Sequence, residues 1–348
     1  MSRLAAFVRL GRPKFLFQSM LVVAMGVTFA IHDGHPFEPR WYVVTWLFGW
    51  CIHLMTHYCN EFFDLDADRA NATPTSWTGG SRVLVSGLLA PQVSLAAAFV
   101  LLFAGIGLIA SMPTTPARWL ATVTVALAWF YTAPPLRLNY RGLGEFTAGA
   151  VLYGLGPILA CFLEEDQISS VSLIFVCVVF VFQFLRMTVM NLSDVDGDRE
   201  VGKRTLAVLL GEPRVIRLYA GGQAVVYAAV VVLLVVGMLP VVAGIALLCT
   251  APVPIWVARQ LFDGTWREPG RGTAVTFWSS MHMPISATAI TVGLLADRLV
   301  HGQHIPTAWL ACYAATLLAF CVWLARSIGR DGRPRTQQVT SEHQRTAA

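Results

Sequence analysis

The chain has 348 residues, of which 56% are hydrophobic and only 13% are charged, and its formal net charge is +5. Soluble domains usually carry about 25% charged residues, so this composition excludes an ordinary soluble protein. It indicates a polytopic membrane protein whose main surroundings are a lipid bilayer. We expect no nucleic-acid partner.

Ten apolar runs in the sequence are long enough to cross a hydrocarbon core of about 30 Å. In chain order they lie near residues 15–31, 41–60, 92–111, 116–132, 145–163, 170–192, 215–236, 240–259, 276–297 and 307–327. Because the first run is short, we expect an all-α membrane bundle of nine or ten transmembrane helices. Residues 15–328 would form one transmembrane domain, between a cytoplasmic arm (1–14) and a disordered cytoplasmic tail (329–348).

Positive charge falls mainly on one side of these spans. Of the 25 Lys and Arg residues, only Arg40, Arg118 and Arg298 lie in loops on the other side, and Arg186 lies inside a span. Cytoplasmic loops carry the excess of Lys and Arg. Both termini are therefore predicted to be cytoplasmic, in a multi-pass protein of the cell's inner membrane.

Two acidic clusters follow the second and sixth apolar runs. Each places one Asn and two Asp on a single helical face, at 100° per residue. These residues are Asn60, Asp64 and Asp68 in the first cluster, and Asn191, Asp194 and Asp198 in the second. Carboxylates at membrane depth are costly unless they are paired, metal-bound or facing water. We therefore expect both faces to line a central cavity that opens to the cytoplasmic side.

The spacing of the aspartates raises the question of which metal they suit. Asp-x-Asp-x-Asp also opens an EF-hand loop, which needs Gly at its sixth position and Glu at its twelfth. Arg69 and Thr75 occupy these positions in the first cluster, and Arg199 and Thr205 in the second, so both clusters fail. Mg²⁺ fits better, because it takes a few carboxylates together with the phosphate oxygens of a substrate.

Basic and glycine-rich segments accompany the acidic clusters. Lys203 and Arg204 follow the second cluster, and a lysine here suits phosphate binding, although the pair could also be a positive-inside anchor. Thr78 to Arg82 form a Gly-rich turn whose backbone amides could meet phosphate oxygens.

An aromatic and basic segment follows the fourth apolar run. Pro134 and Pro135 must stop the preceding helix. The side chains then expected at the same cytoplasmic mouth are Tyr131, Arg137, Tyr140 and Arg141. Taken alone, they could form an ordinary interfacial belt.

Together these motifs resemble the UbiA superfamily of intramembrane prenyltransferases. The resemblance lies in Asn60-x-x-x-Asp64-x-x-x-Asp68, Gly79-Gly80-Ser81-Arg82, Tyr131-x-x-Pro134-Pro135 to Arg141-Gly142-Leu143-Gly144-Glu145, and Asn191-x-x-Asp194-x-x-x-Asp198 with Gly202-Lys203-Arg204-Thr205-Leu206. The motifs are most similar to the branch that prenylates 1,4-dihydroxy-2-naphthoate for menaquinone. Two positions depart from the pattern: Glu61 replaces a common Asp, and Ser193 replaces the Arg usual in that branch.

The resemblance implies Mg²⁺-dependent transfer of an isoprenyl group from a polyprenyl diphosphate to an aromatic acceptor, through diphosphate ionisation and an allylic carbocation. It implies that the two Asn and Asp faces bind the Mg²⁺ ions. The candidate catalytic residues are Lys203, Arg82, Tyr131 and Arg141, and the candidate substrate-binding residues are Glu61, His57, Arg137, Tyr140, Arg186 and Arg204.

Several alternatives stay open at the level of sequence. His57 could line the acceptor pocket, accept a proton or simply pack, and Arg186 could bind an acceptor carboxylate or pair with a motif aspartate. The same diphosphate machinery would serve a terpene cyclase or a prenyltransferase for another aromatic acceptor. A transporter with an acidic gate is the alternative outside enzymes, but its polar groups are expected near the bilayer midplane rather than at one face.

Overall fold

Helices occupy the apolar runs because a backbone in lipid must pair its polar groups within the segment. The structure, a computed structural model, describes residues 2–72, 74–268 and 270–333, and every regular element within these ranges is helical. The α-helices are α1 (Arg3–Leu10), α2 (Leu16–His32), α3 (Pro39–Phe63), α4 (Leu65–Ala70), α5 (Pro91–Ser111), α6 (Thr115–Phe130), α7 (Gly144–Gly149), α8 (Gly156–Glu165), α9 (Ser170–Met190), α10 (Val195–Glu200), α11 (Leu206–Leu210), α12 (Glu212–Val235), α13 (Val241–Leu248), α14 (Pro252–Phe262), α15 (Arg271–Val300) and α16 (Thr307–Ser327). The 3₁₀-helices are Pro13–Phe15, Leu138–Tyr140, Asn191–Asp194 and Thr265–Arg267, and the π-helices are Ala150–Leu155 and Ile328–Gly332. The predicted all-α fold is confirmed.

Eight helical segments of the described ranges are long and apolar enough to cross a membrane. These are Arg3–His32, Pro91–Ser111, Gly144–Glu165, Ser170–Glu200, Glu212–Val235, Val241–Phe262, Arg271–Val300 and Thr307–Gly332. The two remaining apolar runs also form helices, α3 and α6. Helix α3 is rich in Trp, Tyr and His, which lower its mean hydropathy, and α6 is only 16 residues long.

Helices α2 and α9 form the centre of the bundle. Helix α2 packs against α3, α8, α15 and α16, and α9 packs against α7, α12 and α15. Phe29, Phe175 and Phe182 are fully buried between these helices. Since lipid tails are as apolar as these side chains, the helices associate through close packing rather than through the hydrophobic effect. Residues of α2 and of α9 line one interior space within this bundle.

Both acidic clusters interrupt their helices, and the first does so without losing its helical face. The Asp64 amide donates to the Asn60 carbonyl and the Asp68 amide to the Asp64 carbonyl, each at 2.8 Å, so the predicted i, i+4, i+8 alignment survives the break between α3 and α4. The second cluster passes through the 3₁₀-helix at residues 191–194 before α10. Helices α4 and α10 then pack against each other, which brings the two clusters together.

Helical structure extends into both of the terminal segments that the sequence analysis set apart. Residues 3–10 form helix α1, whose Ala6 and Leu10 are buried. At the other end, Asp331 accepts a hydrogen bond from Trp77 Nε1 at 3.2 Å and is buried. Disorder beginning at residue 329 is therefore wrong for residues 329–332, which continue the last helix, and Asp331 among them packs on the loop before α5. The rest of the predicted tail, 334–348, lies outside the described residues.

Candidate active site

A cavity of about 260 Å³ lies between α2, α3, α6, the segment from α7 to α8, and α9. We call one part its acidic end, lined by Asn60, Asp64, Asp68, Asn191, Asp194 and Lys203. We call the other part its apolar end, lined by Val22, Val23, Phe48, Ile52, Val151, Leu152 and Leu159. The helical rise of 1.5 Å per residue places Ile52 roughly 18 Å from Asp64 along α3. The cavity thus combines a charged entrance for a polar head with a long apolar wall.

Lys203 joins the two acidic clusters. Its Nζ lies 3.5 Å from Asp64 Oδ2, in the first cluster, and 3.2 Å from Asp198 Oδ1, in the second. Burial opposes the charge on this ammonium, but the Asp64 and Asp198 carboxylates outweigh burial and hold the pKa of Lys203 well above its usual value. Lys203 is therefore a permanent positive charge between carboxylates that are about 130 residues apart in sequence.

Asparagine side chains fix the orientation of the carboxylates. Asn139 Nδ2 donates to Asp64 Oδ2 at 3.1 Å, and Asn71 Nδ2 donates to Asp194 Oδ1 at 2.7 Å. Both asparagines lie outside the two acidic motifs, Asn139 in the 3₁₀-helix Leu138–Tyr140 and Asn71 directly after α4. Each leaves its carboxylate with acceptor capacity toward the cavity, since an ionised carboxylate has about four lone-pair sites.

Asp68 lies beneath the Gly-rich turn. Burial raises the pKa of Asp68 to about 7; the charge on Arg12 opposes this rise, while Glu61 and Asp64 add to it. Gly80 has a φ of +75°, and a Cβ at this position would overlap the Asp68 carboxylate. The turn can approach Asp68 this closely only because residue 80 is glycine.

The two motif asparagines are held by buried partners. Thr132 Oγ1 donates to Asn60 Oδ1 at 2.8 Å. Asn191 Nδ2 donates to Glu145 Oε1 at 2.8 Å, and the same oxygen accepts the Leu206 amide at 2.8 Å. Glu145 is fully buried. It thus ties the loop that carries Lys203 to the end of α9.

The residues at the acidic end fit a hard divalent cation. All the oxygen donors there are carboxylate or amide oxygens, which Mg²⁺ prefers. Asp198 is buried, and its Oδ2 has no hydrogen-bond partner among the described residues. Among the described residues, no group of three or more His, Cys, Asp or Glu side chains is arranged so that it could hold a metal ion by itself. Mg²⁺ is usually held by one or two carboxylates plus waters and substrate phosphates rather than by an all-protein cage, and this geometry suits that mode.

Two of the predicted site residues face away from the cavity. Glu61 accepts hydrogen bonds from Arg12 Nε at 2.7 Å and from the Ser81 amide and hydroxyl at 2.6 and 2.7 Å. Arg82 donates to the Asp68 backbone carbonyl and lines a separate depression beside α1. Glu61 and Arg82 therefore hold the Gly-rich turn in place, and the structure does not bring them to the cavity wall.

Four further predicted residues are also outside the cavity lining. Arg137 stacks on the Tyr140 ring, with Cζ 3.6 Å from the ring centroid. Arg141 is exposed and donates to the Pro135 carbonyl at 3.0 Å, and the Arg204 side chain is exposed. The prolines end α6 as predicted, but the segment then folds back over α7, so Arg141 and Arg204 point toward solvent. Tyr140 contacts the acidic end from outside the cavity: its hydroxyl donates to the Asp64 carboxylate, and Lys203 Nζ lies 5.7 Å from its ring centroid. Of this segment's predicted site residues, Tyr131 alone lines the cavity.

The remaining predicted residues, Asp198, His57 and Arg186, lie at different depths around the acidic end. Asp198 is buried behind Lys203 rather than in the cavity lining, whereas His57 and Arg186 line the cavity below the acidic end. His57 Nδ1 donates to the Gly11 carbonyl at 2.8 Å. Asp66 and Asp196 are exposed and pair with Arg69 and Arg199, so both point off the acidic faces.

The sequence analysis missed several residues of the site. Arg12, Gln18 and Gln183 line the cavity, and Asn71 and Asn139 hold its carboxylates. Periodicity could have found Gln183, which lies on the same face of α9 as Met187, Met190 and Asp194. Arg12, Asn71 and Asn139 lie in turns or at helix ends, where no repeat pattern exists.

Comparison with known proteins gives a family and a fold. A model of the UbiA prenyltransferase family matches residues 19–281. The chain is 26% identical over 239 residues to the 1,4-dihydroxy-2-naphthoate octaprenyltransferase of Bacillus subtilis (strain 168), which covers 66% of this chain and 73% of that protein. It is 31% identical over 211 residues to the enzyme of the same name from Mycobacterium tuberculosis, covering 57% and 68%. A solved UbiA homologue from Archaeoglobus fulgidus, bound to GPP and Mg²⁺, has a TM-score of 0.58 at 15% identity over 82% of this chain and 99% of that chain; at that identity the likeness shows the fold alone.

Proposed function

This chain belongs to the UbiA prenyltransferase family, and from that premise we propose the reaction that it catalyses. It is a prenyltransferase with a multi-pass membrane fold. We propose that it transfers the isoprenyl group of a polyprenyl diphosphate to 1,4-dihydroxy-2-naphthoate, giving the reduced (hydroquinone) form of demethylmenaquinone, and that it requires Mg²⁺.

One observation carries the proposal: a single ammonium, that of Lys203, lies between a carboxylate of each acidic cluster, at 3.5 Å from Asp64 and 3.2 Å from Asp198. The two clusters therefore form one site at one end of one cavity. A diphosphate head is the group that such a mixture of carboxylates and fixed positive charge can bind when divalent cations are present.

The acidic end supplies what diphosphate departure needs. A leaving diphosphate gains negative charge, and positive charge positioned beforehand lowers that barrier. Bound Mg²⁺, held by Asn60, Asp64, Asp68 and Asp194, would act there as a Lewis acid. Lys203 can turn from its carboxylates to the diphosphate oxygens, and the turn that contains Gly80 lines the same end.

The apolar end supplies dryness and room for the tail. Breaking the bond between the prenyl C1 and the diphosphate oxygen leaves an allylic cation, which water would quench unless excluded. Phe48, Ile52 and Leu159 line the far wall of the cavity, and these side chains offer no nucleophile. Thr45 and Thr124 lie beside them, but each hydroxyl donates to a carbonyl of its own helix. The prenyl chain would lie along this wall, with its C1 at the acidic end.

The two naphthoate octaprenyltransferases among the relatives support the choice of acceptor. In this transfer, the ring carbon that bears the carboxyl group attacks the prenyl C1. The new carbon–carbon bond forms on the allylic cation left after the diphosphate has departed, and the carboxyl group then leaves as CO₂ while its bonding electrons return to the ring. No oxidant or reductant is needed.

The distribution of Lys and Arg supports a location in the inner membrane with both termini in the cytoplasm. The acidic end would then face the cytoplasm, where water-soluble precursors and Mg²⁺ are available. Accessibility labelling of single cysteines introduced at positions 3 and 333 would test this orientation, and labelling from the outer side of intact spheroplasts would contradict it.

The function is tested with purified protein in detergent, a polyprenyl diphosphate, Mg²⁺ and a panel of aromatic acceptors, followed by mass spectrometry. We expect prenylated, decarboxylated product from 1,4-dihydroxy-2-naphthoate, none after chelation with EDTA, and recovery when Mg²⁺ is restored. Coupling only to a different acceptor would overturn the naphthoate assignment. Cyclised hydrocarbon formed without any acceptor would overturn acceptor prenylation itself.

A further inference from the structure

Arg186 is a buried arginine in the last turns of α9, and among the described residues no carboxylate balances its charge. Its side chain lines the cavity and is 4% exposed. Its Nε and Nη2 donate to the Ser280 hydroxyl at 3.2 and 3.0 Å, and its Nη1 donates to Gln183 Oε1 at 3.3 Å. These acceptors are neutral, and within the described ranges no Asp or Glu forms an ion pair with Arg186. A buried charge without a counter-charge is costly, so an anionic ligand would relieve it.

The level of Arg186 in the cavity differs from that of the acidic end. Asp194 follows it by eight residues on the same helical face, which corresponds to roughly 12 Å along the axis. A diphosphate held by the acidic end would therefore sit about two turns away from Arg186. Met187, Met190 and Tyr131 line the cavity between the two levels, and such apolar and aromatic side chains suit an aromatic ring.

A second donor lines the same cavity from α2. Gln18, on α2, is 2% exposed and lines the cavity, and its Nε2 has no hydrogen-bond partner among the described residues. Phe15, one turn earlier on the same side of the chain, has its ring centroid 5.9 Å from Arg186 Cζ. A buried N–H without an acceptor costs about 1–3 kcal/mol. Gln18 and Arg186 thus both leave donor capacity for one ligand.

We propose that Arg186, assisted by Gln18, binds the carboxylate of the aromatic acceptor and so selects aromatic acids over neutral aromatic compounds. The proposal rests on the function proposed above and adds a specificity-determining residue to it. The guanidinium fork matches the two oxygens of a carboxylate. The carboxylate supplies the missing counter-charge, whereas a neutral ring would leave Arg186 unbalanced.

The test is equilibrium binding, which needs no turnover. The full-length protein in nanodiscs is titrated with 2-naphthoate and with 2-naphthamide, its neutral analogue of the same shape. We expect the wild type to bind the carboxylate at least tenfold more tightly than the amide. Arg186→Gln should weaken naphthoate binding by about 100-fold and leave amide binding within about twofold, and Arg186→Lys should recover part of the loss. Arg326→Gln, at an exposed arginine of α16, is the matched control.

An unchanged preference for the carboxylate in a folded Arg186→Gln protein would overturn the inference. If that variant fails to fold, Gln18→Leu provides the second test: a preference reduced by about tenfold supports the inference, and an unchanged one contradicts it. The outcome is separate from that of the proposed function. A wild type that prenylates no acceptor would refute the reaction, while carboxylate-dependent binding would still decide the role of Arg186.

Discussion

Gly197 of α10 packs directly against the backbone of Asn71 at the end of α4: a Cβ at position 197 would lie 2.9 Å from the Asn71 nitrogen. The Asn71 side chain donates to Asp194 at 2.7 Å. The same crossing therefore sets both the distance between the two acidic clusters and the orientation of one of their carboxylates. A backbone neighbour cannot move aside as a flexible side chain can.

The first prediction follows from this crossing. Gly197→Ala should force α4 and α10 apart by a few tenths of an ångström and lower kcat/KM for the polyprenyl diphosphate by about tenfold or more. The measurement is steady-state turnover together with the Mg²⁺ concentration needed for half-maximal rate, which should rise. Gly221→Ala is the control, since nothing lies within 4 Å of a Cβ at that position on α12. Equal kinetics in both variants would show that this contact does not set the site.

The second prediction compares the aspartates that line the cavity with the exposed aspartates of the same motifs. Asp64→Asn and Asp194→Asn should each lower turnover by more than about 100-fold, because even residues that only support metal ligands are worth 10–100-fold. Asp66→Asn and Asp196→Asn should stay within about twofold, since these side chains are 83% and 100% exposed. Diphosphate release is the measurement. Near-normal release by Asp64→Asn or Asp194→Asn would refute a metal role for that residue.

The third prediction concerns the charge that joins the clusters. Lys203→Met removes the ammonium between Asp64 and Asp198. It should lower kcat/KM for the polyprenyl diphosphate by about 100-fold or more. It should also lower thermal stability, because the loss of one partner leaves the buried carboxylates unbalanced.

Mg²⁺ distinguishes the two effects of this substitution. The ion should raise the melting temperature of Lys203→Met more than that of the wild type, because it supplies the missing positive charge. Activity should not return with it, since diphosphate binding also uses Lys203. A variant that Mg²⁺ stabilises no more than the wild type would argue against a shared site.

The fourth prediction concerns a residue that supports the site from outside the cavity. Glu61→Gln leaves the Arg12 charge without its partner and should lower the free energy of unfolding by about 3–5 kcal/mol. The KM for the polyprenyl diphosphate should change by less than about threefold if the Gly-rich turn keeps its place. Denaturant unfolding and steady-state kinetics test the two parts. Glu200→Gln is the control at an exposed carboxylate. A raised KM with unchanged stability would contradict the supporting role and indicate that Glu61 binds substrate.

Helical periodicity predicted the parts of this molecule that repeat along one helix. Asn60, Asp64 and Asp68 share a face, as predicted, because hydrogen bonds four residues apart continue through the break at Asp64. The exposure of Asp66 and Asp196 follows from the same geometry. The apolar runs also predicted the long helices, since a bilayer leaves the backbone few alternatives.

Contacts between distant segments could not be read in the same way. Arg12 and Glu61 are 49 residues apart and meet because α1 returns against α3. Arg82 and Arg141 belong to motifs that the sequence analysis assigned to the site. In the structure, however, Arg82 has a φ of +66°, and its side chain donates to the Asp68 backbone carbonyl instead of entering the cavity. Side-chain direction after a turn depends on the packing of neighbouring helices, which no local pattern contains.

The π-helix at Ala150–Leu155 holds one more residue per turn than the α-helices on either side of it, and Val151 and Leu152 of this segment form part of the cavity wall. An extra residue wound in this way bulges the wall without rotating the faces of the flanking helices. Deleting one residue here would let the segment rewind as a plain α-helix and leave both flanks in register. Length variation among relatives should therefore be tolerated at this turn, where it reshapes the chamber, sooner than anywhere else in the same span.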